Sequence, residues 1–294
     1  MIRYEHSFHP DTRRPSRLPP PGSCDAQTHI FGDPAVYPLA PGRVYDPAFD
    51  ATFDKLQAMH RTLGIAHGVI VQPTAYGTDH RLLLDALARN KAYRGTAIVD
   101  DSVTDDQLLA LDAAGVRGAR FNFKAAMGAI PDDAEFERSV ARITQLGWHA
   151  KIRSSGAELL AYEPLLRRLD ATVVIDHMGH LDCNAGPDQP ACRLIVDLLR
   201  NHGWWIMLSN ADKHVDRPWD AAVEVARAFV EAAPDRAMWA TDWPHLGFKE
   251  RPTSNDADLL ELFYRYASHD EDTVHRILVD NPQRLYGFDV AATA

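Results

Sequence analysis

The strongest constraint in this 294-residue sequence is a repeating alternation. From Ser23 onward a short apolar or β-branched run recurs roughly every 25–40 residues, and an amphipathic stretch usually follows it. The pattern predicts strands at Cys24–Phe31, His67–Gln72, Gly95–Asp100, Gly118–Phe123, His149–Ser154, Thr172–His177, Trp204–Ser209 and Ala237–Asp242. Helices are expected at Phe49–Leu63, Arg81–Ala92, Asp105–Ala114, Asp133–Leu146, Ala157–Leu169, Pro190–His202 and Trp219–Ala233, with Asp256–Ser268 and Glu271–Val279 closing the series. Gly64, Gly115, Gly147 and Gly203 stand where a helix would stop before the next strand. Val69-Ile70-Val71 and Val173-Val174-Ile175 are apolar throughout, as expected of parallel strands buried on both faces.

Eight strand–helix repeats read as an α/β fold, a single (β/α)₈ TIM barrel forming one catalytic domain over residues 23–294. An open doubly wound sheet is the competing arrangement, but no G-x-G-x-x-G or Walker-type loop follows any strand. Residues 1–22 carry Arg13, Arg14, Arg17 and Pro19-Pro20-Pro21 and read as an extended Pro-rich N-terminal arm. The arm has no apolar run of the signal-peptide kind, and no apolar stretch is long enough to span a membrane, so no membrane partner is expected. Cys24, Cys183 and Cys192 show no C-x-x-C spacing, which fits a reducing cytoplasm. A formal net charge of −10 argues against a nucleic-acid partner.

Barrel enzymes carry their chemistry on the C-terminal ends of the strands. The first predicted strand ends in Asp25-Ala26-Gln27-Thr28-His29, whose two-residue period puts residues 25, 27 and 29 on one face and points Gln27 and His29 into the mouth. The sixth ends in Asp176-His177-Met178-Gly179-His180 and the eighth in Thr241-Asp242-Trp243-Pro244-His245. Core packing gives no reason for titratable groups at the tips of apolar runs. On the fourth strand Arg120 shares a face with Asn122 and Lys124, and on the fifth Lys151 shares one with Arg153. Arg120, Arg153 and Lys213 form a candidate anion site, the arginines as planar forks for a carboxylate or sulfonate and Lys213 as a point charge. Tyr45, Thr74 and Tyr76, in loops at the same mouth, are candidate hydrogen-bonding partners of the substrate. Trp204, Trp205 and Trp239 are assigned to the barrel wall, and His60, His67, His80, His202, His269 and His275 to the surface.

Taken in order, D-x-Q-x-H, I-D-H-M-G and T-D-W-P-H resemble the amidohydrolase superfamily, and the chain is similar within it to the 2-pyrone-4,6-dicarboxylate lactonases. Gln72-Pro73-Thr74-Ala75-Tyr76-Gly77-Thr78-Asp79, Arg120-Phe121-Asn122-Phe123 and Asn281-Pro282-x-Arg284-Leu285-Tyr286 extend the likeness from about Pro21 to Tyr286. Three positions depart from it. Gln27 replaces the first histidine of the usual H-x-H, as in related sugar-lactone isomerases; Ala126 stands where a second arginine is expected; and Arg153 replaces a tyrosine. The resemblance implies an amidohydrolase-like barrel that opens a small anionic lactone in aromatic or sugar-acid catabolism. Candidate substrates are a pyrone dicarboxylate, a carboxy- or sulfo-muconolactone, or an aldarolactone.

The resemblance also assigns roles. Asp242 lies where this superfamily deprotonates its water and is the expected general base, with His29 and His177 as oxyanion donors and the Gln27 amide aimed at the same oxygen. Binuclear members use a Lys or Glu on strand 4 and a His on strand 5; here strand 4 offers Lys124 and strand 5 only Arg153. A single divalent ion, zinc first, would use His29, His177 and Asp242. Gln27 is a weak ligand, nearby cations raise the electrostatic cost, and the resembling lactonases work without metal, so no cofactor is expected. The competing functions are a lactone isomerase using a substrate hydroxyl in place of water, a metal-dependent decarboxylase, and a barrel that binds an anion without catalysis.

Overall fold

Eight parallel strands follow one another in chain order around a single sheet. They are β1 (Cys24–Thr28), β2 (His67–Val71), β3 (Tyr93–Ala97), β4 (Val116–Asn122), β5 (His149–Arg153), β6 (Val173–Ile175), β7 (Trp205–Leu208) and β8 (Ala237–Trp239). The computed structural model describes the backbone of residues 2–3 and the chain over residues 8–124, 130–246 and 253–288. Ala126 lies outside the described residues.

The first and last strands meet through the residues at their tips. Thr28 bridges Trp243 in parallel, the His29 N–H donates to the Trp243 carbonyl at 2.7 Å, and the Asp242 N–H donates to the Gln27 carbonyl at 3.1 Å. Buried Asp25 reinforces this seam, accepting from the Thr241 N–H at 3.0 Å and the Thr241 hydroxyl at 2.5 Å. The pairing register of β1 shifts between Asp25 and Thr28. The irregularity breaks strict alternation. Asp25 therefore does not share the inward face with Gln27, as the two-residue period had it; its carboxylate meets His60 at 3.3 Å.

A helix follows every strand: α1 (Phe53–Leu63), α2 (Arg81–Arg89), α3 (Asp105–Ala114), α4 (Asp133–Thr144), α5 (Gly156–Leu166), α6 (Pro190–Asn201), α7 (Asp220–Ala232) and α8 (Asp256–Tyr266). Thr104 with Gln107, and Ser155 with Glu158, form capping boxes at the starts of α3 and α5. Gly64 and Gly115 end α1 and α3 in the left-handed region. The last helical segment runs beyond its expected end at Val279. It continues through a π turn at Arg276–Asp280 into Asn281–Tyr286.

Alternate strand residues separate the core into two layers. Val69, Val71, Val174, Met207 and Met238 pack together with Trp205 in one cluster, while Ile70, Val173, Ile175, Ile206 and Trp239 belong to the larger cluster that includes the helices. Trp204, Trp205 and Trp239 are buried barrel residues. His60 and His80, assigned to the surface from sequence, are buried instead: His60 sits 2.8 Å from the Tyr93 hydroxyl, and His80 donates to the Ile98 carbonyl at 2.8 Å. The arm packs on α8, where Arg13 pairs with Asp258 and Glu261 at 2.5 and 2.6 Å and Arg17 lies over the Tyr264 ring. Among the described residues no helix is long and apolar enough to cross a membrane.

Candidate active site

The C-terminal ends of the strands surround a cavity of about 180 Å³. β1 leads into His29, β4 supplies Arg120 and leads to Lys124, and β5 ends in Arg153. The turn after β6 adds His177 and His180, the loop after β7 adds Asn210, Lys213 and His214, and the residues after β8 add Asp242 and Leu246. Tyr45, Pro73 and Thr74 complete the wall. A larger cleft of about 830 Å³ between the arm and α1 holds the Lys55–Asp50 pair but, among the described residues, no converging set of base, donors and cations.

The strand tips owe their directions to unusual backbone. His177, His180, Asn210 and Asp242 have φ values of 49°, 44°, 66° and 59°, all in the left-handed region that favours glycine. Such conformations cost ~1–3 kcal/mol each and persist where surrounding structure imposes them. Their concentration around one cavity marks it as the place where fold stability has been exchanged for side-chain direction.

Asp242 is the hub. Its Oδ2 accepts from Lys213 Nζ at 2.6 Å, and the same ammonium donates to the Leu246 carbonyl at 3.1 Å. Its Oδ1 lies 3.4 Å from His29 Nε2, 3.8 Å from His177 Nε2 and 3.4 Å from the Gln27 amide nitrogen. Burial alone would raise the carboxyl pKa, but the Lys213 ammonium beside it is foremost in holding it well below the usual carboxylate range. Asp242 is therefore ionised at neutral pH.

Hydrogen-bond partners fix the state of both histidines. His29 Nδ1 is 2.7 Å from the Val71 carbonyl, which can only accept, so this nitrogen carries the proton. The Gln27 amide nitrogen lies 3.4 Å from both Asp176 Oδ2 and Asp242 Oδ1 and 2.9 Å from His177 Nε2. The two carboxylates require the NH₂ end there, so His177 Nε2 accepts from it and the ring proton resides on Nδ1, 2.8 Å from Ser209 Oγ. Burial lowers both imidazole pKa values, that of His177 to about 3. Each neutral ring thus spends its N–H away from the cavity centre and turns a lone pair toward it, so either ring donates to an oxyanion there only after taking up a proton. Gln27 likewise is fully buried and lies behind His177 and Asp242, without lining the cavity.

Beneath this layer Asp176 receives Arg120 at 2.9 Å, with Lys151 at 3.7 Å. Arg120 thus lines the cavity and pairs with a buried carboxylate at once. Lys151 is fully buried, and desolvation depresses its pKa to about 8. Burial and neighbouring Arg120 lower the Arg153 pKa to about 10. Among the described residues four basic side chains line the cavity: Arg120, Lys124, Arg153 and Lys213.

The amidohydrolase-type donor positions do not fit a divalent ion. The His177 lone pair is taken by the Gln27 amide, Asp242 Oδ2 by the Lys213 ammonium, and the lining cations would repel a dication. Among the described residues no three His, Cys, Asp or Glu side chains form a metal-binding group.

Of the loop candidates, Tyr45 and Thr74 line the cavity and contact each other. Tyr76 does not line it: its hydroxyl accepts from the Gly32 N–H at 3.1 Å, and its ring stacks on Phe31. Sequence reasoning missed His180, Asn210 and His214 as cavity residues. His180 adjoins the I-D-H-M-G motif, which was its signal; Asn210 and His214 lie in an irregular loop that no periodicity marks.

Known proteins resemble this chain over most of its length. The family model described as Amidohydrolase matches residues 24–288. The chain is 37% identical over 275 residues to 4-sulfomuconolactone hydrolase of Hydrogenophaga intermedia, covering 91% of this chain and 89% of that protein. It is 37% identical over 284 residues to the 2-pyrone-4,6-dicarboxylate hydrolase of Comamonas testosteroni, covering 91% and 90%. A solved structure of a probable 2-pyrone-4,6-dicarboxylic acid hydrolase from Acinetobacter baumannii, with citric acid bound, superposes with a TM-score of 0.80 at 25% identity, over 91% of this chain and 100% of that one.

Proposed function

The chain belongs to the amidohydrolase family, and on that footing we propose that it hydrolyses a small anionic lactone of the pyrone-dicarboxylate or muconolactone kind. The observation that carries the reading is an ionised carboxylate, Asp242, set among Arg120, Lys124, Arg153 and Lys213 in a cavity sized for a single ring. Arginine forks and ammonium groups grip the acid groups of the substrate, with Tyr45 and Thr74 as neutral hydrogen-bonding partners.

Asp242 takes a proton from water as the water oxygen bonds to the lactone carbonyl carbon. The carbonyl π electrons move to its oxygen, and Arg120 faces the resulting oxyanion. The Asp242–His29 pair, 3.4 Å apart, shares the removed proton; once His29 Nε2 holds it, the imidazolium becomes the second donor to that oxyanion. Collapse re-forms the carbonyl and breaks the ring C–O bond. The ring oxygen takes back the proton, leaving an opened acid that ionises in solution. Gln27 and Ser209 hold His177 in one tautomer and act as positioning residues.

This route uses no resident metal or other cofactor. A carboxylate base at the tip of β8 favours water over a substrate hydroxyl as the attacking group, and so hydrolysis over isomerisation. Three buried free cysteines are compatible with a cytoplasmic setting. The test is turnover of a panel of carboxylated and sulfonated lactones by wild type and Asp242→Asn. Ring opening by wild type with a loss of at least ~10³-fold in kcat for the variant supports the assignment; an active Asp242→Asn removes Asp242 from the base role.

A further inference from the structure

His180 is a half-buried residue with both ring nitrogens buried, and neither the fold nor the proposed reaction steps employ it. It lines the active-site cavity, and among the described residues neither Nδ1 nor Nε2 has a hydrogen-bond partner. An unsatisfied buried polar side chain costs ~1–3 kcal/mol. It is held there by a left-handed turn, Met178 at φ 50°, Gly179 at 67° and His180 at 44°, which lays its ring 4.8 Å from that of His177. The fold thus keeps a donor and an acceptor, unpaired among the described residues, at the wall of the substrate space.

The surroundings of the ring say what it meets. Lys124, Arg153 and Lys213 all act on it electrostatically, as does His177, and burial is the leading reason its pKa is well below the ordinary value. His214 faces it edge-on at 6.4 Å. Arg120 and Lys213 have carboxylate partners in Asp176 and Asp242, whereas Lys124 and Arg153 have no ion pair with a carboxylate among the described residues. Glu158 acts on Lys124 only as a more distant charge. Two cations without carboxylate partners among the described residues, and a neutral imidazole whose N–H has none there either, border the same space.

We propose that His180 is a specificity-determining residue that donates its free N–H to an acid group of the substrate held by Arg153 and Lys124. The site then selects lactones with two acid groups over those with one. A neutral donor suits this place because a further cation beside Lys124, Arg153 and Lys213 would be repelled until the anion arrived. The inference deepens the lactonase reading, but a binding measurement separates its fate from that of catalysis.

The experiment compares wild type with His180→Ala, His180→Asn and His180→Phe. Calorimetric titration uses isophthalate, which carries two meta carboxylates on a six-membered ring, and benzoate, which carries one. Far-ultraviolet circular dichroism and thermal melting establish that each variant is folded. His180→Ala is expected to weaken isophthalate about 10- to 100-fold, the loss of one hydrogen bond to a charged group, while benzoate changes less than about threefold. His180→Asn, which retains an N–H donor, recovers part of the loss, and His180→Phe does not. With a lactone that turns over, the same contrast appears in KM at nearly unchanged kcat. Equal weakening of both ligands, or no change in either, overturns the proposal and leaves His180 a support for His177. Discrimination between the two carboxylates in a protein that opens no lactone retains the His180 assignment and overturns the lactonase reading.

Discussion

Lys213 Nζ and Asp242 Oδ2 are 2.6 Å apart inside the cavity, so the proposed base is also the partner of one of the substrate-binding cations. Burial opposes ionisation of Asp242, and Lys213 is the foremost of the groups that overcome it. A carboxylate base works above its pKa. Lys213→Met should therefore move the acid limb of the kcat/KM profile upward by ~1–3 pH units, with a higher KM from the lost cation. A pH–rate series on one lactone reads both. An acid limb that stays in place would show that Lys213 does not tune the base.

Gln27 touches His177, Asp176 and Asp242 from behind the cavity wall. Gln27→Leu keeps most of the volume and removes the amide that fixes the His177 tautomer. Turnover is expected to fall about 10- to 100-fold with KM within about threefold, because positioning is lost and substrate contacts are not. Steady-state kinetics on the folded variant decides it. A rise in KM at constant kcat would place Gln27 in substrate binding instead.

The two loop tyrosines should separate cleanly. Tyr76→Phe leaves the Gly32 N–H without its 3.1 Å acceptor and should cost ~1–3 kcal/mol of stability while leaving kcat and KM within about twofold. Tyr45→Phe, at the cavity wall, should raise KM with little change in the melting temperature. Chemical denaturation and kinetics on the pair check both.

How much of this was legible in the sequence follows from what each rule measures. Periodicity located all eight strands and the tips carrying His29, His177 and Asp242, because burial on both strand faces leaves a continuous apolar run. It failed at Asp25, where a register shift breaks the two-residue period and turns the side chain toward His60. The direction of the His180 side chain, though not its place beside the motif, was out of reach for a related reason: it comes from a left-handed turn beyond the end of β6, and strand alternation stops with the strand. Tyr45 and Tyr76 look alike in sequence, and only the hydrogen bond to Gly32 tells them apart. The tautomers of His29 and His177 depend on carbonyl, hydroxyl and amide partners up to 150 residues away in the chain.

Acid stability should report a histidine away from the cavity. Burial, with Lys151 adding to it, lowers the His149 pKa from 6.5 to about 3. Between those values the unfolded chain binds more protons than the folded one, so stability rises with pH and is lost as pH falls below 6.5. From pH 6.5 to 4 this group accounts for about 3 kcal/mol of that loss. His149→Leu should flatten the decline by about one proton in urea titrations across this range. An unchanged slope would mean that His149 is not held neutral.

The most direct test of the central claim is a turnover in ¹⁸O-labelled water, using a carboxylated or sulfonated lactone and chelator-treated protein, with the product followed by NMR and mass spectrometry. Metal-free hydrolysis at Asp242 predicts a ring-opened acid carrying one ¹⁸O per turnover at an undiminished rate. An isomeric lactone without label, or activity abolished by the chelator and restored by zinc, would contradict it.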